Sequence, residues 1–296
     1  MEKALIIYNP MAGSENGEKL ANLFKERLEK DFDEIDIKGT KEKGDATLFA
    51  KNSTYDSYHS VFVIGGDGTV NEVFKGILSI EKENRPILGV IPGGTFNAVA
   101  RVLQSNQAKD KAIENFSLDK IKEMDMGVVN DSVFSLIFSI GDVPEAIHSV
   151  SNEEKSKFKM LAYAKNIIEK IADDSVYDLD IDIDGEEFSG LFHHVIILLS
   201  DKLENFELTE YKMAMDDGFL HIFLMPEASL TEKVGLLSDM AFKKSSDNEN
   251  LIYRKAKSLK ISSKKPVETD IDGDKGENLP VSIKVEEKAL KVYYQG

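Results

Sequence analysis

Residues 61–72 combine a strand, a glycine-rich turn and a helix start in one short stretch. Four apolar, strand-forming residues, Val61 to Ile64, lead directly into Gly65-Gly66-Asp67-Gly68. Glycine allows positive φ or close approach of the backbone to a ligand, and successive N–H groups of such a turn can converge on one anion. This stretch therefore predicts a phosphate-binding turn between a buried strand and a helix.

The segment that follows the turn strengthens this prediction. Val70, Val73, Phe74 and Ile77 recur at helical spacing, and the positive end of that helix would point at the same turn. A polyphosphate fits there, and the Asp67 carboxylate is suited to hold its magnesium ion directly or through water. For the glycines alone, a tight turn that binds no ligand is the alternative interpretation.

Strand patterns alternate with helical patterns through the first part of the chain. This alternation predicts βαβ units, a parallel sheet, and ligands bound outside the carboxyl ends of the strands. The four strand patterns are Ala4–Tyr8, Ile35–Ile37, Val61–Ile64 and Ile87–Ile91.

The fourth strand pattern runs into a second glycine-bearing turn, residues 92–97, which opens another helix. Two such turns at one edge of a sheet could hold a nucleotide between them, with Thr95 hydrogen-bonded to phosphate. Arg101 lies one helical turn further along. It either pairs with phosphate or caps acidic groups at the surface, and the sequence does not choose between these roles.

Together these motifs resemble the bacterial diacylglycerol kinase and sphingosine kinase-like lipid kinase family, within the NAD kinase-like superfamily. The resemblance implies an α/β fold. Residues 1–126 would form a Rossmann-like, parallel-sheet domain that binds the nucleotide, and residues 127–296 a mainly antiparallel, β-rich domain that contributes the lipid site. The segments that carry the resemblance are Asn9-Pro10, Thr40 with Gly44-Asp45-Ala46, Gly65 to Glu72, and Pro92 to Asn97.

The resemblance also implies ATP and Mg²⁺ as cofactors. Where the family has an aspartate after the last of these motifs, this chain has Ala98, which bears on substrate and rate more than on fold. The residues assigned to cofactor binding are Asn9, Thr40, Gly65, Gly66, Asp67, Gly68, Thr69, Asn71, Glu72, Gly94 and Thr95.

The second half of the chain has mainly β patterns, apart from a predicted helix at residues 153–172. Residues 133–140 alternate serine with large apolar residues, which predicts a strand with one polar face. In residues 178–184, apolar residues alternate with aspartates. A turn at Asp184-Gly185 follows, and a second strand pattern comes after it, which predicts a hairpin. Residues 281–285 and 290–294 predict a hairpin-like end.

Two further Asp-Gly pairs gain a meaning from the resemblance that the residues alone do not provide. By itself, Asp217-Gly218 indicates the start of a strand, whereas Asp184-Gly185 indicates a hairpin turn. The resemblance implies a structural magnesium ion at this place, bound by the Asp217 side chain and by the carbonyl groups of Ala214 and Phe219.

Asp272-Gly273-Asp274 reads by itself as an acidic turn. The resemblance implies that acids of this motif approach the nucleotide site and act as general base towards the lipid hydroxyl. The last acid of the family motif is glutamate, and here it is Asp274. Because its side chain is shorter, Asp272 is the first choice for the base, with Asp274 as partner or alternative.

The composition excludes several classes of protein. The 53 acidic against 37 basic residues leave a net charge of −16, which argues against nucleic acid and strong adhesion to anionic lipid. The chain has no cysteine, and its five histidines lack ligand spacing, so disulfides and zinc are not expected. No apolar run reaches the roughly 18 residues of a spanning helix, and no signal peptide is evident. We therefore expect a cytoplasmic protein that contacts the inner face of the membrane transiently, through apolar contacts.

The sequence thus predicts an ATP-dependent lipid kinase that phosphorylates the hydroxyl of diacylglycerol, giving phosphatidic acid, or of a related lipid alcohol. One alternative is a soluble kinase of the NAD kinase type. A second is a nucleotide- or lipid-binding protein without activity, which Ala98 and Asp274 would favour. The expected partners are ATP, the lipid alcohol and the membrane surface, without nucleic acid, and a homodimer is compatible with the sequence.

Overall fold

The structure is a computed structural model of the 296-residue chain. It describes residues 2–12, 16–54, 56–141, 175–203, 206–207, 211–229, 231–233, 235–236 and 248–296. The predicted helix at residues 153–172 lies outside these ranges. Within them, no helix has the length and apolar character needed to cross a membrane.

The chain divides into two compact units. The first comprises Met1–Met126, Leu203–Asn205 and Glu286–Gly296, and the second comprises Gly127–Lys202 and Phe206–Val285. The N-terminal segment of the first unit ends at Met126, and the segment from Glu286 onwards belongs to the same unit.

The first unit is a parallel sheet with helices between its strands. Strand β1 pairs in parallel with β2 and β3, and β3 pairs in parallel with β4, as the alternation predicts. Its elements are β1 (Lys3–Tyr8), α1 (Gly17–Leu28), β2 (Glu34–Gly39), α2 (Asp45–Asn52), β3 (Ser60–Gly65), α3 (Asp67–Leu78), a 3₁₀ turn (Lys82–Asn84), β4 (Ile87–Pro92), α4 (Ala98–Val102) and α5 (Lys109–Glu114).

The apolar strands explain why this sheet is parallel and covered by helices. All six residues of β3 are buried, as expected for a strand with helices on both faces. Phe24 of α1 packs edge-to-face on Phe62 of β3 and on Phe116, with ring centroids 5.2 and 5.1 Å apart. This core holds in place the strand ends from which the glycine turns emerge.

The second unit is built from antiparallel strand pairs, as the β patterns predict. The long strand β9 pairs with β8 along its first half and with β7 and β12 along its second half. The remaining strands of the described chain are β5 (Ile121–Val129), β6 (Ser132–Phe134), β7 (Ile137–Ile140), β8 (Tyr177–Ile183), β9 (Glu186–Leu198), β10 (Lys202–Leu203), β11 (Phe206–Glu207), β12 (Leu220–Pro226), β13 (Ile252–Ala256), β14 (Ser258–Ser263), β15 (Thr269–Ile271), β16 (Asp274–Lys275) and β17 (Val281–Tyr293). The α/β fold class with parallel and antiparallel parts is confirmed.

The predicted strand at residues 133–140 is wrong in two respects. It is interrupted at Ser135 and Leu136, between β6 and β7. Its serines do not form a solvent-facing side, because Ser135 is 5% and Ser139 0% exposed. The interruption arises because the N–H groups of residues 135–137 bond to a side chain, the Asp272 carboxylate.

The predicted hairpin at the C-terminal end is also wrong, because residues 281–293 form the single strand β17. Lys288 adopts a φ of 47° and donates its N–H to Oδ1 of the buried Asp125 at 2.6 Å. This contact changes the strand locally without reversing it. The first part of β17 pairs with β14, and Val292 pairs in parallel with Leu88 of β4.

Candidate functional site

Two glycine turns meet at one edge of the sheet in the first unit. Strands β3 and β4 are parallel neighbours, so their carboxyl ends lie side by side. The Gly93 N–H donates to the Gly65 carbonyl at 2.8 Å. A Cβ added to Gly94 would lie 2.6 Å from the Gly66 Cα, which no real side chain tolerates. The glycines are therefore needed for close backbone contact, and none of these four has positive φ.

This contact differs from the prediction that a nucleotide is held between the two turns. At Gly66 and Gly94 the two backbones touch, so no ligand fits between them at that point. The two turns instead form a single surface, and a ligand bound there would lie beside the contact. Gly68 and Thr95 are both exposed and belong to the two turns, so they are placed to face such a ligand.

Helix α3 begins directly at the first turn. Its N-cap residue is Gly66, and no side chain caps it by a hydrogen bond. The first N–H groups of an α-helix have no partner within the helix, and the macrodipole makes this end positive. An uncapped helix start beside glycines without side chains fits the phosphates of a nucleotide.

The Asp67 carboxylate links the two turns. Its Oδ1 accepts the Ala98 N–H at 2.6 Å, and its Oδ2 accepts the Asn97 N–H at 2.9 Å. Asp67 therefore caps α4 from another segment of the chain. Carboxylate oxygens are the ligands that magnesium prefers, so Asp67 is also suited to hold a magnesium ion or its water.

Asn97 is a residue that the sequence analysis did not assign to the site. It is 7% exposed and has φ 56°, a left-handed conformation that asparagine adopts more readily than most residues. Its Oδ1 accepts the Gly94 N–H at 2.7 Å, and its Nδ2 donates to the Gly94 carbonyl at 3.1 Å. The Gly94 N–H is thus used within the protein, while Thr95 beside it is exposed. Asparagine before a helix signals an N-cap, but not this bond back to the turn.

Other predicted cofactor-binding residues lie around the same turns. Asn9 donates through Nδ2 to Thr69 Oγ1 at 3.3 Å, which joins the end of β1 to α3. Thr40 follows β2, and its N–H donates to the Tyr8 carbonyl at 2.9 Å. Asn71 lies in α3 and is half-buried.

Glu72 connects the loop after β2 to α3. Its Oε1 accepts the Gly44 N–H at 3.0 Å. In the same loop Asp45 accepts the N–H groups of Lys41 and Glu42 at 2.7 and 3.1 Å, and these hydrogen bonds lower the pKa of Asp45. Glu72 thereby holds the loop against the helix that carries the first glycine turn.

Arg101 is a buried residue and not a surface residue. It is 4% exposed, and its Nε donates to the Phe96 carbonyl at 2.6 Å. The surface alternative is therefore wrong. Through this hydrogen bond, Arg101 stabilises the backbone of the second glycine turn.

The predicted magnesium ligands around Asp217, in the second unit, already bond to the protein's own donors. Asp217 Oδ2 accepts from His221 Nε2 at 3.0 Å and from Lys255 Nζ at 3.1 Å, while Oδ1 accepts the Phe219 N–H at 3.1 Å. The Ala214 carbonyl accepts the Asp217 N–H at 3.2 Å. An ammonium group at the carboxylate does not fit a divalent ion, which needs free oxygen ligands. Across the described ranges, no group of three or more His, Cys, Asp or Glu could hold a metal ion.

His221 is fully buried next to this carboxylate. Its Nδ1 lies 2.7 Å from the Tyr253 hydroxyl. Burial lowers the pKa of His221, although Asp217 opposes the change, and burial raises the pKa of Tyr253 to about 12. A neutral imidazole between a phenol and a carboxylate is therefore the favoured state.

Asp272 and Gly273 form the two-residue turn between β15 and β16, with φ values of 51° and 91°. Four hydrogen bonds reach the half-buried Asp272: from Ser135 N–H at 2.7 Å and Oγ at 2.9 Å, Leu136 N–H at 3.0 Å and Ile137 N–H at 2.9 Å. Burial raises the pKa of Asp272, and these bonds oppose the rise. Asp274 is exposed. Asp272 is thus held rigidly, and Asp274 is the more accessible acid.

The chain is similar to known proteins over almost its whole length. Residues 3–129 match the family described as "Diacylglycerol kinase catalytic domain". A Streptococcus pneumoniae protein named "Putative lipid kinase" is 39% identical over 99% of this chain and 98% of its own. A Staphylococcus aureus protein named "Diacylglycerol kinase" is 31% identical over 99% and 92%. A crystal structure of a diacylglycerol kinase from Bacillus anthracis has a TM-score of 0.80 and 27% identity, covering 99% and 97%.

Proposed function

The chain belongs to the diacylglycerol kinase family of lipid kinases, and from this premise we propose that it uses ATP to phosphorylate a lipid alcohol. The γ-phosphoryl group passes to the hydroxyl of diacylglycerol, giving phosphatidic acid, or of a related lipid alcohol. The observation that supports this most directly is the uncapped start of α3 beside two glycine turns in contact. A nucleotide phosphate is the ligand that such an arrangement accepts.

Phosphoryl transfer asks the protein mainly for positioning and charge neutralisation. In this proposal, the N–H groups at the start of α3 and the Thr95 hydroxyl bind the phosphates. The Asp67 carboxylate would hold the magnesium ion directly or through water, and the ion would supply positive charge that neutralises the phosphates. Asn97 and Arg101 keep the second turn, and with it Thr95, in place.

For the general base we propose Asp272, with Asp274 as the alternative. A base must hold a fixed position and have a pKa suited to taking a proton. Asp272 has a fixed position and a raised pKa, but its four hydrogen bonds use about the four acceptor positions of a carboxylate, so one donor must move away before it takes the proton, whereas Asp274 is exposed. The net charge of −16 argues against electrostatic adhesion to anionic lipid, so we propose that the membrane contact is made by apolar groups.

The first experiment measures phosphate transfer from labelled ATP with Mg²⁺ to diacylglycerol, ceramide, sphingoid base, undecaprenol and NAD in mixed micelles. We expect transfer to a lipid alcohol that requires micelles or vesicles. A mild test variant is Thr95→Val, which removes one exposed hydroxyl and should weaken ATP binding while the protein stays folded. Asp67→Ala should abolish transfer, and its thermal unfolding must be measured too, because Asp67 also caps α4.

Two results would contradict the proposal. Transfer to NAD without any need for micelles would identify a soluble kinase. Binding of ATP without transfer to any acceptor would favour the nucleotide-binding protein without activity.

A further inference from the structure

The turn at residues 214–219 in the second unit is surrounded by hydrogen-bond donors, and Lys255 among them is a cation. Asp217 accepts hydrogen bonds from the Phe219 N–H, from His221 Nε2 and from Lys255 Nζ, at 3.0–3.1 Å. A carboxylate has about four acceptor positions, and three are used here. The charge of Asp217 is therefore compensated within the protein.

The imidazole of His221 is held between two hydrogen-bond partners, and these partners determine which ring nitrogen carries the hydrogen. A carboxylate only accepts, so Nε2 carries the hydrogen and donates to Asp217, 3.0 Å away. Nδ1 then accepts the hydrogen of the Tyr253 hydroxyl at 2.7 Å. Because His221 is completely buried, it cannot turn to water, and Asp217 is held in one orientation.

Two lysines approach the turn from β13 and the residue after it. Lys255 lies opposite His221 in the antiparallel pair of β12 and β13, which places its side chain beside Asp217. Lys257 donates to the Gly218 carbonyl. Both ammonium groups lie over the Phe219 ring, 4.2 and 4.0 Å from its centroid, as in a cation–π contact. The turn thus meets two positive charges, the same total as one divalent cation.

We infer that the Lys255 ammonium replaces a divalent cation at this turn, and that residues 214–219 keep their conformation without a bound metal. Mg²⁺ needs near-octahedral oxygen ligands at 2.0–2.1 Å, and an ammonium at hydrogen-bond distance from the same carboxylate repels it. Lys255 supplies directional donors to Asp217 instead. The inference is independent of the proposed reaction, since it concerns the stability of the turn and not the magnesium ion that accompanies ATP.

Thermal unfolding of the full chain without nucleotide tests this, in EDTA and in increasing Mg²⁺. We expect the wild-type Tm to be the same in both. Lys255→Met should lower the Tm by roughly 2–4 °C, because the pair with Asp217 is partly shielded from solvent. Lys255→Arg keeps the positive charge and should restore most of the loss.

A rise of the wild-type Tm with Mg²⁺ that disappears in Asp217→Asn would overturn the inference, because it would show a metal ion at this carboxylate. A Tm for Lys255→Met equal to that of the wild type would also overturn it. An unchanged wild-type Tm in Mg²⁺ supports the inference without any variant, even if a substituted protein fails to fold.

Discussion

The turns at Asp184-Gly185 and Asp272-Gly273 have the same backbone and different electrostatics. Their φ values are 47° and 92° in the first and 51° and 91° in the second, and each joins two neighbouring strands. In both, the aspartate carboxylate accepts hydrogen bonds from a different segment of the chain. Asp184 binds the N–H groups of Lys257 and Ser258 at 2.7 and 2.9 Å.

The two aspartates differ in how burial competes with these hydrogen bonds. Burial pushes the pKa of Asp184 upward, but the hydrogen bonds from Lys257 and Ser258 outweigh it, so its pKa is lowered. At Asp272 burial outweighs four hydrogen bonds, so its pKa is raised. The two turns therefore differ in the direction of the aspartate pKa shift, and this difference supports the proposal that Asp272, and not Asp184, acts in the reaction.

The largest expected effect separates the two turns by turnover. Asp272→Asn should lower lipid phosphorylation by about 10²–10⁴, the usual loss when a positioned base is removed, and leave ATP binding intact. Asp184→Asn should leave turnover nearly unchanged. Both variants place an amide against N–H donors, which costs about 1–3 kcal/mol of stability at the more buried Asp272 and less at the exposed Asp184, so denaturant unfolding of each is the control.

Normal turnover in Asp272→Asn would show that Asp272 is only a structural cap, like Asp184. Asp274→Asn is then the next variant to measure. A loss of turnover in that variant alone would assign the base to Asp274.

The glycines of the two turns give a second, smaller contrast. Gly273→Ala and Gly185→Ala each force an L-residue to a φ near 90°, and each should lower the free energy of unfolding by about 1–2 kcal/mol. No atom lies within 4 Å of a Cβ added to Gly185, so only backbone strain acts there. We expect Gly273→Ala to reduce turnover and Gly185→Ala to leave it unchanged. Turnover and the free energy of unfolding are measured on the same samples. Equal turnover in both would remove the functional distinction.

The smallest effect is a difference in pH dependence. The lowered pKa of Asp184 contributes stability above its unfolded pKa, and this is lost as pH falls through the folded pKa. The raised pKa of Asp272 has the opposite sign, because ionised Asp272 costs stability and protonation relieves that cost. As pH falls through the acidic range, the Tm gap between wild type and Asp184→Asn should narrow.

For Asp272→Asn we expect the opposite change: as pH falls, the Tm of the wild type should rise relative to the Tm of the variant. The Asp184 effect will be small, because this residue is exposed and its charge is screened. Both series need constant ionic strength. Tm differences that change in the same direction for both variants would contradict the electrostatic distinction.

Local patterns were enough to predict the parallel half of the fold. Strands β1 to β4 and helix α3 follow from apolar runs, helical spacing and glycines close together in sequence, and such signals need no knowledge of distant residues. The hairpin at Asp184-Gly185 followed for the same reason. The C-terminal end was predicted wrongly, because the partners of β17 are β14 and β4, far away in the chain.

By itself, the sequence determined where the four parallel strands lie, where glycines permit close backbone contact, and which acidic motifs are candidates for chemistry. Only the tertiary structure decided what each acid does. Asp67 caps a distant helix, Asp217 pairs with Lys255, and Asp272 accepts hydrogen bonds from Ser135 and its neighbours. The partners in these contacts are about 30 or more residues apart. Because the pKa and the free acceptor positions of a carboxylate depend on such partners and on burial, no local pattern can reveal them.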